Sequence, residues 1–376
     1  MPELMDIKAL KQQLAQRTDA LVPELLPAAR AEPDTWCCGD VDGTPGQSLR
    51  VWRRGARQGE WCDFATGAHG DLLDLVAQAR GLPLAEACRI ARDWLGLGNL
   101  PPAARARQAR EAARLQEITR ADQAAEAAKL RRYAQGIYLS ARPIQPGDAA
   151  WRYFQGRAID LAALPRLPAS LRLHPALTHK ETKARAEAAG RPVPTHQAIV
   201  ACIVGELALP DRDGVPRWGQ IAAHRTYLEQ RQDGSVGKLA GVKDAKLSVA
   251  AYAGGLIALA RGASGKPLKA APPGDAILLT EGIENGLTAA QALPGLRVAA
   301  AVALANLGNL ARVLPPAIGT VNLALDNDAG PGQRAQADRA VRAFLAAGRT
   351  VRIVRAPAGL KDWNDWAQAL AKGEAA

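Results

Sequence analysis

AILLTEGIENGLTAAQAL (276–293) and TVNLALDNDAGPG (320–332) decide the fold of the C-terminal third of this chain. Each begins as a short, continuous apolar run, the pattern of a strand buried on both faces. Each turns polar abruptly: Glu281 follows AILLT, and Asp326 and Asp328 follow TVNLAL. LRVAAAVAL (296–304) and TVRIV (350–354) supply two more runs, and helical patterns at 283–293, 333–347 and 363–370 lie between or after them. Strands alternating with helices predict a four-stranded parallel sheet with helices on both faces. Ligands bind beyond the carboxyl ends of such strands, which is where the acids fall. LKDWND (360–365) follows TVRIV and adds Asp362 and Asp365, so three strand ends carry five carboxylates to one edge.

Carboxylates gathered at one point repel each other unless a cation joins them. Hard oxygen donors without nearby His or Cys favour Mg²⁺ or Mn²⁺ over zinc. Asp326 and Asp328 are two residues apart, so in a tight loop both can face one ion, with Gly330 and Gly332 allowing the backbone to turn behind them.

Working outward, the net charge of +11 is uneven. Residues 1–99 carry a net of −3, 100–142 a net of +5, 143–274 a net of +8 and 275–376 a net of +1. The positive excess is central, which suits a groove for a polyanion. Residues 136–274 read as a mixed α+β region in which 195–209 and 218–228 are strands joined by a turn at Asp211-Arg212-Asp213-Gly214. Residues 99–135, rich in Ala, Arg, Gln and Glu, read as one long basic helix, a connector.

Residues 1–98 form a further module. Residues 1–30 read as a helix through Ile7, Leu10, Leu14 and Leu21. Leu49, Val51 and Trp61 lie in short strands, and 71–95 is helical with a break at Gly81-Leu82-Pro83 and a cap at Asp71. Trp36, Trp52 and Trp61 suit core packing better than base stacking. Five cysteines, an odd number, and a charged start without an apolar core to a leader point to a cytoplasmic protein with reduced thiols. No run approaches the ~18 apolar residues of a membrane span.

TEGIENGLTAAQAL, LALDNDAGPG and KDWND together resemble the Toprim domain of primases and topoisomerases, a Rossmann-like fold, and most closely the branch found in phage, plasmid and integrative-element primases. The resemblance implies that Glu281 acts as general acid or base and that Asp326 and Asp328 hold Mg²⁺, with Glu281 and Asp362 as further metal contacts and Glu284 and Asp365 as weaker ones. The fourth position after the motif Glu, often acidic in bacterial replicative primases, is Asn285 here, with Glu284 one residue earlier. WRYFQGRAID, LRLHPAL and AAHRTYLEQRQDGSVGKLAGVKDAKLSVAAYAGGLIAL resemble the segment that precedes Toprim in the mobile-element primases. That likeness implies that Arg225, Lys238, Lys243 and Lys246 meet template and nucleotide. GQSLRVWRRG and GEWCDFATGAHGDLLDLVAQ resemble the primase zinc-binding domain in outline, without its paired CxxC or CxxH ligands. Cys37, Cys38, Cys62 and His69 remain as donors, but adjacent Cys37 and Cys38 would point to opposite faces of a strand, so zinc is not expected.

The expected activity is synthesis of RNA primers on a single-stranded DNA template from nucleoside triphosphates, for phage or mobile-element replication. A Toprim nuclease and a non-catalytic single-strand-binding accessory are the alternatives. GASGKP (262–267) lacks the spacing of a phosphate loop. No motor is legible, so a separate helicase would be needed at a moving fork.

Overall fold

The computed structural model describes residues 3–96, 102–207, 217–327 and 330–374. They divide into two compact units, Met1–Ala124 and Ala125–Ala376.

In the first unit, α1 (Glu3–Gln16) and α2 (Thr18–Leu25) replace the single helix expected over 1–30. The break is local: the buried Thr18 hydroxyl donates to the Ala15 carbonyl at 2.6 Å, closing α1. An antiparallel sheet follows in chain order, β1 (Arg30–Ala31), β2 (Thr35–Cys38), β3 (Leu49–Trp52), β4 (Glu60–Asp63) and β5 (His69–Asp71). Then come α3 (Leu72–Ala79) and α4 (Leu84–Trp94), separated at Gly81 (φ +61°) and Pro83. Asp71 caps α3 by accepting from the Leu73 and Asp74 amides, while Asp74 accepts from the Asp71 amide, a reciprocal capping box. Leu10, Leu14, Leu49, Val51, Trp61, Leu72 and Leu75 form the core. Trp61 is spent there, its indole N–H on the Asp71 carbonyl at 3.0 Å. Cys38 faces this core, and burial pushes its thiol up to about 11. Cys37, Arg50, Cys62 and His69 stand in one cross-strand row on the other face, with Arg50 between the two cysteines. No cluster of three possible metal ligands forms among the described residues.

Helix α5 (Pro102–Ser140) runs 39 residues, past the expected end at 135. Its last turns are held in the second unit by burial of Ala134 and Ile137 against Val200 and Ala223. In that unit β6 (Arg142–Pro143), α6 (Ala149–Gln155), β7 (Leu171–Leu177), α7 (Lys180–Ala188), β8 (His196–Glu206), β9 (Trp218–Gln230), β10 (Val236–Lys238) and β11 (Lys246–Val249) build an antiparallel sheet of order β10-β9-β8-β7-β6, with β11 also paired to β9. The turn expected at 211–214 lies outside the described residues.

The C-terminal sheet has order β12-β14-β13-β15-β16: β12 (Ile257–Arg261), β13 (Asp275–Thr280), β14 (Arg297–Ala300), β15 (Ile318–Ala324) and β16 (Thr350–Val354). The four runs read from the sequence are parallel, as expected. Strand β12, from the segment assigned to the middle region, adds an antiparallel fifth strand along β14. Helices α8 (Ile283–Ala292), α9 (Leu304–Leu310), α10 (Pro331–Ala346) and α11 (Trp363–Lys372) connect and follow the strands. Helix α9 was not legible, because 296–304 reads as one strand. Instead β14 stops at Ala300, where the buried Asn306 side chain takes the Ala301 and Gly255 carbonyls, both at 2.9 Å. Helix α8 lies tight on the sheet: a Cβ at Gly286 would collide with Leu259 and crowd Thr280. Residues of the middle and C-terminal regions, among them Phe154, Leu173, Ile199, Leu278, Leu287 and Val298, share one core. No described helix is long and apolar enough to cross a membrane.

Candidate active site

Strands β13 and β15 are parallel neighbours, with Thr280 opposite Ala324. Glu281 therefore leaves the sheet beside Leu325 and Asp326. Glu281 and Asp326 line one cleft together with Gln333 and Arg334 of α10 and with Arg355. Asp328 lies outside the described residues.

The Asp326 loop is tied to the loop after β16. Asn327, between the two acids of DND, donates its side-chain amide to the Ala356 and Leu360 carbonyls, both at 2.9 Å, and its backbone N–H to Lys361 O at 2.8 Å. Arg355 donates to the Asp326 carbonyl at 2.8 Å. Gln333 accepts the Gly330 amide at 2.8 Å and so fixes the entry to α10. Asn285 Nδ2 lies 3.4 Å from Asp326 Oδ1.

Asp362 and Asp365 sit at the start of α11. Asp362 is its N-cap: one carboxylate oxygen accepts the Asn364 and Asp365 amides, both at 2.9 Å. Asp365 occupies the first turn.

Glu284 lies elsewhere, contrary to the expected metal contact. Its buried carboxylate accepts from Tyr153 at 2.7 Å and Lys246 at 2.9 Å, with Lys238 at 3.5 Å. Burial opposes its ionisation. The two ammonium groups and the hydrogen bonds outweigh that cost and hold the carboxyl well below the usual carboxylate range. Burial, with Lys246 alongside, lowers Lys238, though Glu284 pulls the other way. His224, on the same strand face, is pushed by burial and then by Lys246 down to about 4, and its Nδ1 pairs with the Ser248 hydroxyl at 3.1 Å.

The basic residues do not form one group. Successive side chains of a strand point to opposite faces. Lys246 pairs with Thr226 and Lys238 with Leu228, so both share the His224 face of β9. Arg225 points to the other face, where its guanidinium donates to the Tyr227 hydroxyl at 2.9 Å. Lys243 is exposed, on a loop clamped by the first turns of α7. Glu181 accepts the Lys243 amide at 3.0 Å, His179 Nε2 reaches Asp244 O at 2.9 Å, and Arg185 reaches Gly241 O at 2.6 Å.

Arg334 and Arg355 were missed in the sequence, where nothing marks them out: one opens a helix and the other trails an edge strand. Asn327 was equally silent, as the residue between two aspartates.

The fold is an α/β sheet, mostly parallel, with two acids just past adjacent strand tips. Residues 276–373 match the Toprim domain family, and residues 128–259 match a family described only as a domain of unknown function (DUF7146). The C-terminal region is thus a Toprim domain. No curated relative matches the chain. Among solved structures, the Aquifex aeolicus primase (zinc-binding and RNA polymerase domains) is similar at 16% identity over 98% of this chain and 83% of that one, TM-score 0.35. A DnaG primase catalytic domain bound to single-stranded DNA is similar at 17% identity over 66% and 77%, TM-score 0.41. A DNA primase domain from Pseudomonas aeruginosa is similar at 18% identity over 64% and 74%, TM-score 0.40.

Proposed function

We propose that this chain is a divalent-cation-dependent primase-type nucleotidyltransferase that joins nucleoside triphosphates into short RNA primers on single-stranded DNA. The observation that carries the reading is the shared cleft of Glu281 and Asp326 at adjacent parallel strand tips of a Toprim domain. Two hard carboxylates in one small cleft fit Mg²⁺ or Mn²⁺, which bind through one or two carboxylates and complete their shells with water and substrate phosphates. Glu281 and Asp326, with Asp328, would hold the ion. Bound there, it would supply charge at the attacking and leaving oxygens of phosphoryl transfer.

The chain's own residues do the rest. Glu281, at the cleft, would act as the general base that takes the proton of the attacking hydroxyl. Asn327 and Arg355 keep the Asp326 loop in shape. Arg334 and Arg355 offer guanidinium groups to phosphate oxygens at the cleft's rim. Lys243, on its clamped loop, meets the template backbone, and Lys238 and Lys246 contribute positive charge from within the unit. Asp362 serves chiefly as a helix cap, with Asp365 beside it. A separate helicase would open duplex ahead of the enzyme, in phage or mobile-element replication.

The test is a primer-synthesis assay on mixed single-stranded templates with Mg²⁺ or Mn²⁺. New oligomers only when nucleotides are present support the reading. Shortened DNA without nucleotides would make the chain a nuclease, and salt-sensitive DNA binding with no turnover would make it an accessory.

A further inference from the structure

Asn285 is buried in the first turn of α8, and both ends of its amide are used. Its Oδ1 accepts the backbone N–H of Asn364 at 3.0 Å. A backbone N–H can only donate, so this contact assigns the two ends of the amide. The donor end, Nδ2, is then the one 3.4 Å from Asp326 Oδ1. Asn364 is itself immobilised: it is fully buried, and its side-chain amide donates to Arg157 O at 2.8 Å and Thr288 Oγ1 at 2.9 Å. The chain of contacts runs from the end of α6 through the start of α11 to the carboxylate in the cleft.

We propose that Asn285 is a positioning residue for the acid cleft, an anchored neutral donor that sets the Asp326 carboxylate in place and tunes how strongly the cleft holds a divalent cation. The proposal rests on the reading of Glu281 and Asp326 as ion-holding acids. Because the donor is neutral, it steadies Asp326 without cancelling its charge, as a lysine would, and without adding to it, as a carboxylate would. The two changes of chemistry have opposite consequences. Asn285→Ala removes this donor from the Asp326 carboxylate. Asn285→Asp keeps an acceptor for the Asn364 amide but turns a negative oxygen toward Asp326, a repulsion that a cation relieves.

The experiment titrates Mn²⁺ into the full chain by calorimetry and follows thermal unfolding with and without Mn²⁺. Groups that orient a metal ligand usually matter about 10–100-fold in affinity. Asn285→Ala is expected to weaken Mn²⁺ binding by about tenfold. Asn285→Asp is expected to melt lower than the parent without metal, yet to show a larger Mn²⁺-induced rise and tighter binding. A merely structural amide would lower both melting points and leave no opposite-signed response to the ion. If the alanine variant does not fold, the Mn²⁺-induced rise of the aspartate variant decides alone. Binding by the parent with both variants within twofold of it overturns this proposal while sparing the ion-holding acids. No Mn²⁺ binding by the parent overturns both.

Discussion

Glu281 and Glu284 stand three residues apart, yet they occupy opposite kinds of environment. Glu281 lies just past the end of β13 and lines a cleft with Asp326. Glu284 lies in the first turn of α8, buried against Lys246, Lys238 and Tyr153. The first position gathers acids and the second neutralises one. The difference teaches that an acidic motif is divided by geometry: beyond the strand tip the chain turns into a helix, and the helix carries its next acid toward the neighbouring antiparallel sheet.

The sharpest way to break this contrast is at the cleft. Asp326→Ala should reduce priming by at least about a hundredfold, the scale of losing a metal or oxyanion contact. Its melting temperature should stay near the parent's, because the loop is held by Asn327 and Arg355. Unchanged primer yield would remove the cleft from the chemistry.

Glu284→Ala should reverse the pattern. It strands two lysines beside each other. Breaking a buried pair costs roughly 3–5 kcal/mol, and with the lysine side chains 39% and 32% exposed about 2–3 kcal/mol is expected in urea unfolding. A loss below about 0.5 kcal/mol would show the cluster to be ornamental.

The same cluster gives a pH signature. His224 is held near 4 in the folded chain against 6.5 ordinarily, so the unfolded chain binds its proton first. Its contribution is complete above pH 6.5 and is lost as pH falls toward 4. Between pH 7 and 5 this amounts to about 2 kcal/mol. Glu284, whose carboxyl is depressed, stays ionised across that window, and its own contribution is lost only as pH falls below the ordinary carboxylate range. His174 and His196 are also lowered by burial, so the measurement is the difference between the parent and His224→Gln. Parallel pH curves for the two would contradict the assignment.

The smallest effect belongs to the exposed loop. Lys243→Ala should leave stability within about 0.5 kcal/mol and reduce the salt dependence of single-strand binding by about one phosphate contact. An unchanged slope would place the template away from this loop.

Much of the C-terminal domain was legible. AILLT and much of TVNLAL are apolar because both faces of these central parallel strands are covered, whereas TVRIV, at the sheet edge, is largely exposed; the acids after the first two runs stand just past the strand ends. The partners of Glu284 were not legible, since Lys246 and Lys238 arrive from 38 and 46 residues upstream through tertiary pairing. Arg225 was grouped with those lysines through the family likeness, but a strand's two-residue period sends it to the other face. Asp362 looked like one more acid in the cluster, and only the start of α11 shows that its oxygen serves two amides. The row of Cys37, Arg50, Cys62 and His69 depends on strand register, which short strands with long turns do not announce.

Strand β12 carries a practical corollary. The Toprim match starts at residue 276, but the strand that covers the outer edge of β14 is Ile257–Arg261. A fragment cut at the family boundary would present β14 with a row of unsatisfied amides and carbonyls, the template on which chains stack into aggregates. Solubility of the excised domain should therefore hinge on whether those few upstream residues travel with it.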